Sequence, residues 1–295
     1  MCRRTRVTNG RSPSDSAAGG RRARRALKAL DPRIKHDQRQ VHVARTIAVV
    51  SQKGGVGKTT TVVHLGVALA ERGTPTLLVD LDPQAALTAA FGLNEELSPT
   101  IEASLMKGIA ITQVIRNMRP YLDIAPASFQ LNQAELSLHQ RPRWPYRLRE
   151  ALRPVQGRYA YILIDAPPGL GPLTVNALAA ADMFLVPIRP DYLSLRSLKG
   201  LLIAVGRLRQ QLGLSIELLG ILPTMVQLHL RHHRDVLAEL TAAFGRKVFQ
   251  VFIPQSIRFA EAPVAGQSLL DYMASHPGAQ AYRRLAALIE EASRK

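Results

Sequence analysis

The 295-residue chain has one cysteine, Cys2, near its start. A lone thiol can form no disulfide, Cys-based metal site or iron–sulfur cluster within one chain. Aromatic residues are scarce at 5%, with a single tryptophan. No apolar run approaches the ~18 residues of a transmembrane helix, and the N-terminus lacks the apolar core of a signal peptide. These features suit a reducing cytoplasm. Acidic residues are also few, 22 Asp/Glu against 39 Lys/Arg, for a net charge of +17. The 46% hydrophobic content is enough for a large core.

The positive charge is unevenly spread. Residues 1–45 hold 13 Lys/Arg and 3 Asp, and the other 250 residues hold 26 Lys/Arg and 19 Asp/Glu. The opening stretch is rich in Arg, Ser and Gly and nearly lacks large apolar residues, so it cannot offset its ordering entropy. It reads as a disordered basic tail, with room for a short helix over "ARRALKAL". Two roles stand for it: a nonspecific nucleic-acid arm, or a solvated tail, including a start placed too early.

From Thr46 the pattern changes. Apolar strand-like runs appear at 46–50, 76–80, 122–126, 161–168, 183–188, 216–223 and 247–254. Helical spacing fills the gaps, notably after Lys58 up to Gly73, after Asp82, and over 174–181, 192–212, 232–245 and 278–293. Apolar strands alternating with helices predict an α/β fold, a mostly parallel sheet with helices on both faces. No internal repeat or linker is visible, so 46–295 reads as one domain after a 1–45 tail.

Between the first strand and helix lies "SQKGGVGKTT", residues 51–60. The usual phosphate loop is G-x-x-x-x-G-K-[ST]. Gly57-Lys58-Thr59 supplies its second half, but Gln52 stands where the first glycine belongs, and Lys53 adds a second lysine. Gly54, Gly55 and Gly57, without Cβ atoms, let backbone N–H groups curl around phosphate oxygens at a helix N-terminus. Lys58 is placed for the β/γ-phosphates and Thr59 for Mg²⁺. Carboxylates end two strands: Asp80 and Asp82 in "LLVDLDPQ", Asp165 in "YILIDAPP". Ligands in open α/β sheets bind beyond the strand carboxyl ends, so these groups should converge on the loop. Asp165 fits a Mg²⁺ acid, Asp82 a group that positions the attacking water, and Asp80 a helix cap.

"KGGVGKTT", "LLVDLDPQ", "LIDAPPGLGPLTVNAL" and "IPQSIRFAEAP" together resemble the ParA/Soj family of Walker-type partition ATPases. The resemblance runs from about Thr46 to Tyr282. The first motif is shared with the wider deviant-Walker group of P-loop NTPases, which includes MinD and nitrogenase iron protein. The resemblance implies ATP and Mg²⁺ as cofactors, a homodimer formed with ATP, and slow hydrolysis stimulated by a ParB-like protein. It implies that Lys53 reaches across the dimer to the partner's ATP while Lys58 serves its own. Lys53, Gly54, Gly55, Val56, Gly57, Lys58, Thr59 and Thr60 would contact the nucleotide, with Pro254 of "FIPQS" near the adenine. Thr59 and Asp165 would hold Mg²⁺, and Lys53, Lys58 and Asp82 would serve catalysis. It further implies nonspecific DNA binding from basic residues of the C-terminal half, a cytoplasmic, nucleoid-associated location and no membrane partner.

The chain departs from the family where His64 replaces a frequent Asn, where Ala85-Ala86 replace Gly-Asn, and where "SLRS" (194–197) replaces A-L-E-G. Other uses of such a switch stay open, namely positioning a protein cargo or a division-site factor on the nucleoid or a membrane. His229, His232 and His233 have a spacing open to a metal, but lack a further ligand cluster and read better as a solvated or DNA-facing helix end. The final helix has only a modest apolar stripe, which suits docking on the domain.

Overall fold

A computed structural model describes residues 44–93 and 97–293. The expected basic tail lies outside the described residues, apart from Ala44, which is buried, and Arg45, which opens the first strand.

A seven-stranded sheet carries the site. Its strands are β1 (Arg45–Val49), β2 (Thr76–Asp80), β3 (Arg116–Arg119), β4 (Leu122–Ala125), β5 (Tyr161–Asp165), β6 (Met183–Ile188) and β7 (Glu217–Pro223), in the spatial order β3-β4-β2-β5-β1-β6-β7. Only β3 runs antiparallel, paired to β4. All other pairs are parallel. The central strands bury every residue or nearly so, which is why they read as unbroken apolar runs.

Among the described residues the helices are α1 (Lys58–Glu71), α2 (Ala86–Ala90), α3 (Ile101–Lys107), α4 (Ile111–Val114), α5 (Leu131–Leu138), α6 (Arg147–Leu152), α7 (Pro172–Ala180), α8 (Tyr192–Leu212), α9 (Arg231–Phe244), α10 (Arg258–Val264), α11 (Leu269–Tyr272) and α12 (Pro277–Ser293). Successive strand residues point to opposite faces, and each face has its own core. Ala48, Val79, Ile164 and Val186 pack against α3 to α9, while Ile47, Leu78, Leu163 and Leu185 pack against α1 and α10 to α12. The α/β fold with helices on both faces is as expected. The final helix docks beside α1 through Tyr282, Leu285 and Ile289, all fully buried or nearly so. No helix among the described residues is long and apolar enough to cross a membrane.

The expected strand over 247–254 does not form. The segment follows the edge of β7 through isolated bridges, Ile221 to Val248 and Val226 to Pro254. Its donors reach β7 at intervals, Phe249 N–H to the Ile221 carbonyl (2.9 Å) and Ile253 N–H to the Pro223 carbonyl (2.8 Å). Pro254 can donate nothing to a ladder.

Candidate nucleotide site

The loop after β1 is shaped by glycine where the backbone turns left-handed. Gly55 has φ 68° and Gly57 φ 86°, a region that is costly for residues with a Cβ. Two hydroxyls pin the loop from behind. Thr224 donates to the Val56 carbonyl (2.8 Å), and Thr61 donates to the Gly57 carbonyl (2.7 Å). The backbone N–H groups from Gly54 through Thr60 find no acceptor among the described residues. With Gly54 and Gly55 exposed, these donors form a concave anion receptor at the α1 N-terminus. Lys58, the first residue of α1, is buried beside it.

Register brings the carboxylates together. Asp80 and Asp165 lie opposite each other at the ends of β2 and β5, and Asp165 also faces Val49, the last residue of β1. Their surroundings then separate them. Asp80 accepts from the Thr88 N–H (2.8 Å), the Thr88 hydroxyl (2.7 Å) and the Asp82 N–H (3.2 Å). It therefore ties down the first turn of α2, a capping role. Burial pushes its carboxyl up to about 6, against those hydrogen bonds.

Asp165 is fully buried, and among the described residues neither carboxylate oxygen has a partner at full hydrogen-bond geometry, although the Thr59 hydroxyl lies near it. Burial pushes its carboxyl well above the usual range and the Asp80 charge adds to this, while the Thr59 hydroxyl and the Lys58 ammonium act against it. An unsatisfied buried carboxylate is costly. A hard cation with oxygen ligands offsets that cost, so the Asp165 and Thr59 oxygens fit Mg²⁺. Asp82, nearly buried, accepts from the Gln84 N–H (3.0 Å) through Oδ1 alone.

Pro254 lines a cavity of about 230 Å³ beside the loop, with Gly57, Thr60, Met225 and Phe259 on its walls. The mostly apolar lining suits a nucleobase. Lys53 is placed differently. Its ammonium donates to Asp191 (3.1 Å) and the Ser194 hydroxyl (3.3 Å) at the start of α8. Burial tends to raise the Asp191 carboxyl, but its bonds from Ser194 and Lys53 outweigh this and hold it below the usual range. Gly54–Thr60, Asp82, Asp165 and Pro254 thus meet at one end of the sheet, with Lys53 on the rim.

Glu135 is a site residue that the motifs missed. A Cβ on Gly171 would sit 2.6 Å from its Oε1, and the nearby Leu173 N–H favours its charged form. Burial raises its pKa, and the Asp82 charge adds to that. It lies against the first turn of α7, directly after the loop 166–171 that follows Asp165. The Gly169 N–H fastens that loop to the Ser51 carbonyl (3.1 Å). No motif marks Glu135, since it is a polar residue inside a short helix. His233, from the histidine group, accepts from the Gln227 N–H (3.0 Å) and so closes a turn.

A family model described as an AAA domain matches residues 44–218. The chromosome partitioning protein ParA of Caulobacter vibrioides is 38% identical over 246 residues, 82% of this chain and 92% of that protein. The chromosome-partitioning ATPase Soj of Thermus thermophilus is 41% identical over 82% of this chain and 94% of its own. The chain belongs to the ParA/Soj family.

Structural similarity agrees with this ParA/Soj assignment. A Mycobacterium smegmatis structure titled cobyrinic acid a,c-diamide synthase, with bound ATP analogue and magnesium, is 32% identical. It aligns over 86% of this chain and 97% of that one with a TM-score of 0.76. The protein is an ATPase of the P-loop class, with ATP and Mg²⁺ as its cofactors.

Proposed function

We propose that this ParA/Soj ATPase partitions DNA, plasmid or chromosomal, by cycling between an ATP-bound sandwich dimer and a monomer. The N–H cradle and Lys58 bind the phosphates of ATP, and Thr59 and Asp165 hold Mg²⁺, which neutralises phosphate charge when bound. Asp82 orients the attacking water through its unpartnered oxygen. Pro254 and its cavity take the adenine. Lys53 contacts the partner's nucleotide, so the dimer forms only while the terminal phosphate is present. The dimer binds DNA without sequence preference, a ParB-like protein stimulates slow hydrolysis, and the protein works in the cytoplasm on the nucleoid.

The observation that carries this reading is the position of Lys53. It precedes the glycines of the loop, is about one-third exposed (31%), and its ammonium is bonded to Asp191 and Ser194 at the start of α8. A lysine serving only its own phosphates would point inward, as Lys58 does. Two ATP-bearing faces repel, and a shared cation offsets that charge.

The test pairs ATP calorimetry with sedimentation. Lys58→Ala should lose nucleotide binding in the monomer. Lys53→Ala should bind ATP yet fail to dimerise or hydrolyse it. Asp82→Ala should keep ATP and Mg²⁺ and accumulate as a DNA-bound dimer. If Lys53→Ala still dimerises with ATP and supports stimulated hydrolysis, the trans-lysine account is wrong.

A further inference from the structure

At the end of the sheet away from the nucleotide loop, residues 141–158 ("RPRWPYRLREALRPVQGR") carry six arginines and one glutamate. Four of those arginines have structural uses or lie aside. Arg143 pairs with Glu150 (2.9 Å), Arg147 donates to the Leu105 carbonyl, and Arg158 stands over the Tyr159 ring. Arg141 is exposed and outside the cavity described next.

Arg149 and Arg153 have no carboxylate within ion-pair distance and no side-chain hydrogen bond among the described residues. They are exposed and four residues apart at the end of α6, so they stand on one face. Like charges at that spacing weaken a helix. The same two arginines line a cavity of about 460 Å³ together with the mutually paired Arg143 and Glu150, and its other walls include Gln156, Asp182 and Ser215. Asp182 is occupied in accepting the Thr46 N–H (2.8 Å).

All these lining residues precede strands, so the cavity lies at their N-terminal ends, roughly 17 Å of strand from the phosphate loop at ~3.3 Å per residue. The chain enters the domain here. The Ala44 N–H donates to the carbonyl of Gln156, one of the lining residues (3.2 Å). The 43 residues before Ala44 hold 12 Lys/Arg and 3 Asp.

We propose that this arginine-lined cavity is a contact for the phosphate backbone of duplex DNA that is complete in one protomer and independent of nucleotide. Two guanidiniums without a carboxylate partner among the described residues suit phosphate oxygens, and a polyanion complements both this cavity and the 12 Lys/Arg against 3 Asp in the 43 residues before Ala44. The inference rests on the DNA-binding reading above and deepens it. A surface assembled by the ATP dimer vanishes with ADP, whereas this one persists.

The experiment measures binding of the full chain to a random-sequence duplex across a salt series, with ADP and with ATP. Arg149→Ala/Arg153→Ala should lower the slope of log affinity against log salt by about 2 in both nucleotide states. The double lysine variant should keep the slope, and DNA-free ATP hydrolysis should not change. An unchanged slope overturns the proposal, as does a loss confined to the ATP state, which would move these arginines to the dimer-assembled surface. If the duplex slope is unchanged but binding of polyglutamate is lost, the cavity serves an acidic polypeptide instead. Wild-type protein that binds no DNA with either nucleotide would overturn the DNA reading itself, not this surface alone.

Discussion

The Lys53 ammonium lies 3.1 Å from Asp191 Oδ1, on the same chain, at the residue that caps α8. Asp191 thus holds two donors, Lys53 and the Ser194 N–H (2.7 Å). A lysine that is to reach a partner must first leave this carboxylate. Both side chains are about one-third exposed (31% and 35%), so water and salt screen the pair, and its worth is at most about 1 kcal/mol. The contact is weak enough to be exchanged on dimerisation and strong enough to bias it.

Asp191→Asn separates the two roles. Asparagine caps a helix about as well as aspartate, so α8 should stay intact. The lysine loses its counter-charge. ATP-dependent dimerisation should therefore tighten by about two- to fivefold, the range open to a pair worth at most about 1 kcal/mol. Sedimentation with ATP, over a protein dilution series, measures this. Weaker dimerisation in a folded variant would show that Asp191 supports the dimer and does not compete with it.

Ala85 offers a second test. It sits at φ 50°, ψ 31°, as the N-cap of α2, held by its N–H to the Asp82 carbonyl (2.9 Å). That left-handed conformation costs an L-residue roughly 1–2 kcal/mol relative to glycine. Glycine in turn loses about 0.4–1 kcal/mol through the freedom of its unfolded chain. Ala85→Gly should thus gain about 0.5–1 kcal/mol in urea unfolding, with an unchanged slope. A loss of stability would mean that the turn favours the alanine methyl for its contacts.

The sequence displays those parts whose causes are local. The buried parallel strands are apolar because both their faces are covered. The loop at 51–60 is legible because only glycine tolerates its turns. Asp80 and Asp165 are visible because each ends an apolar run. What escaped depends on what the folded sheet sets beside each residue. β3 (Arg116–Arg119) is a short, charged edge strand that among the described residues pairs with β4 alone, so nothing forces it to be apolar. The run at 247–254 is apolar and β-rich like a strand, yet its pairing is set by the edge it meets. Glu135 and Asp191 act on residues 36 or more positions away, Gly171 and Lys53, and only the fold brings them there.

His64 gives the last prediction, one that depends on pH. Its imidazole is buried against Tyr282, with ring centroids 5.2 Å apart, and beneath the edge-on ring of Phe259. Nδ1 donates to the Thr60 carbonyl (2.6 Å), while Nε2 accepts from the Leu269 N–H (3.1 Å). That pair of bonds requires the neutral ring, and it ties the nucleotide helix α1 to α11. Burial lowers the pKa to about 4, against the bond to Thr60 and the Asp271 charge. The folded value thus lies below the unfolded 6.5, so the unfolded chain binds more protons between them. This contribution is full above about pH 6.5 and is lost as pH falls toward about 4. Asp80, raised by burial to about 6 from 3.8, acts in the opposite direction over much of that window, so the total curve hides the histidine. The difference between wild type and His64→Asn uncovers it. The variant should be less stable near neutral pH, and the gap should shrink by on the order of 2 kcal/mol by about pH 4.5. Urea unfolding at the two pH values reads this out. A gap of equal size at both would mean that the buried ring is already protonated in the folded state or that His64 contributes packing alone.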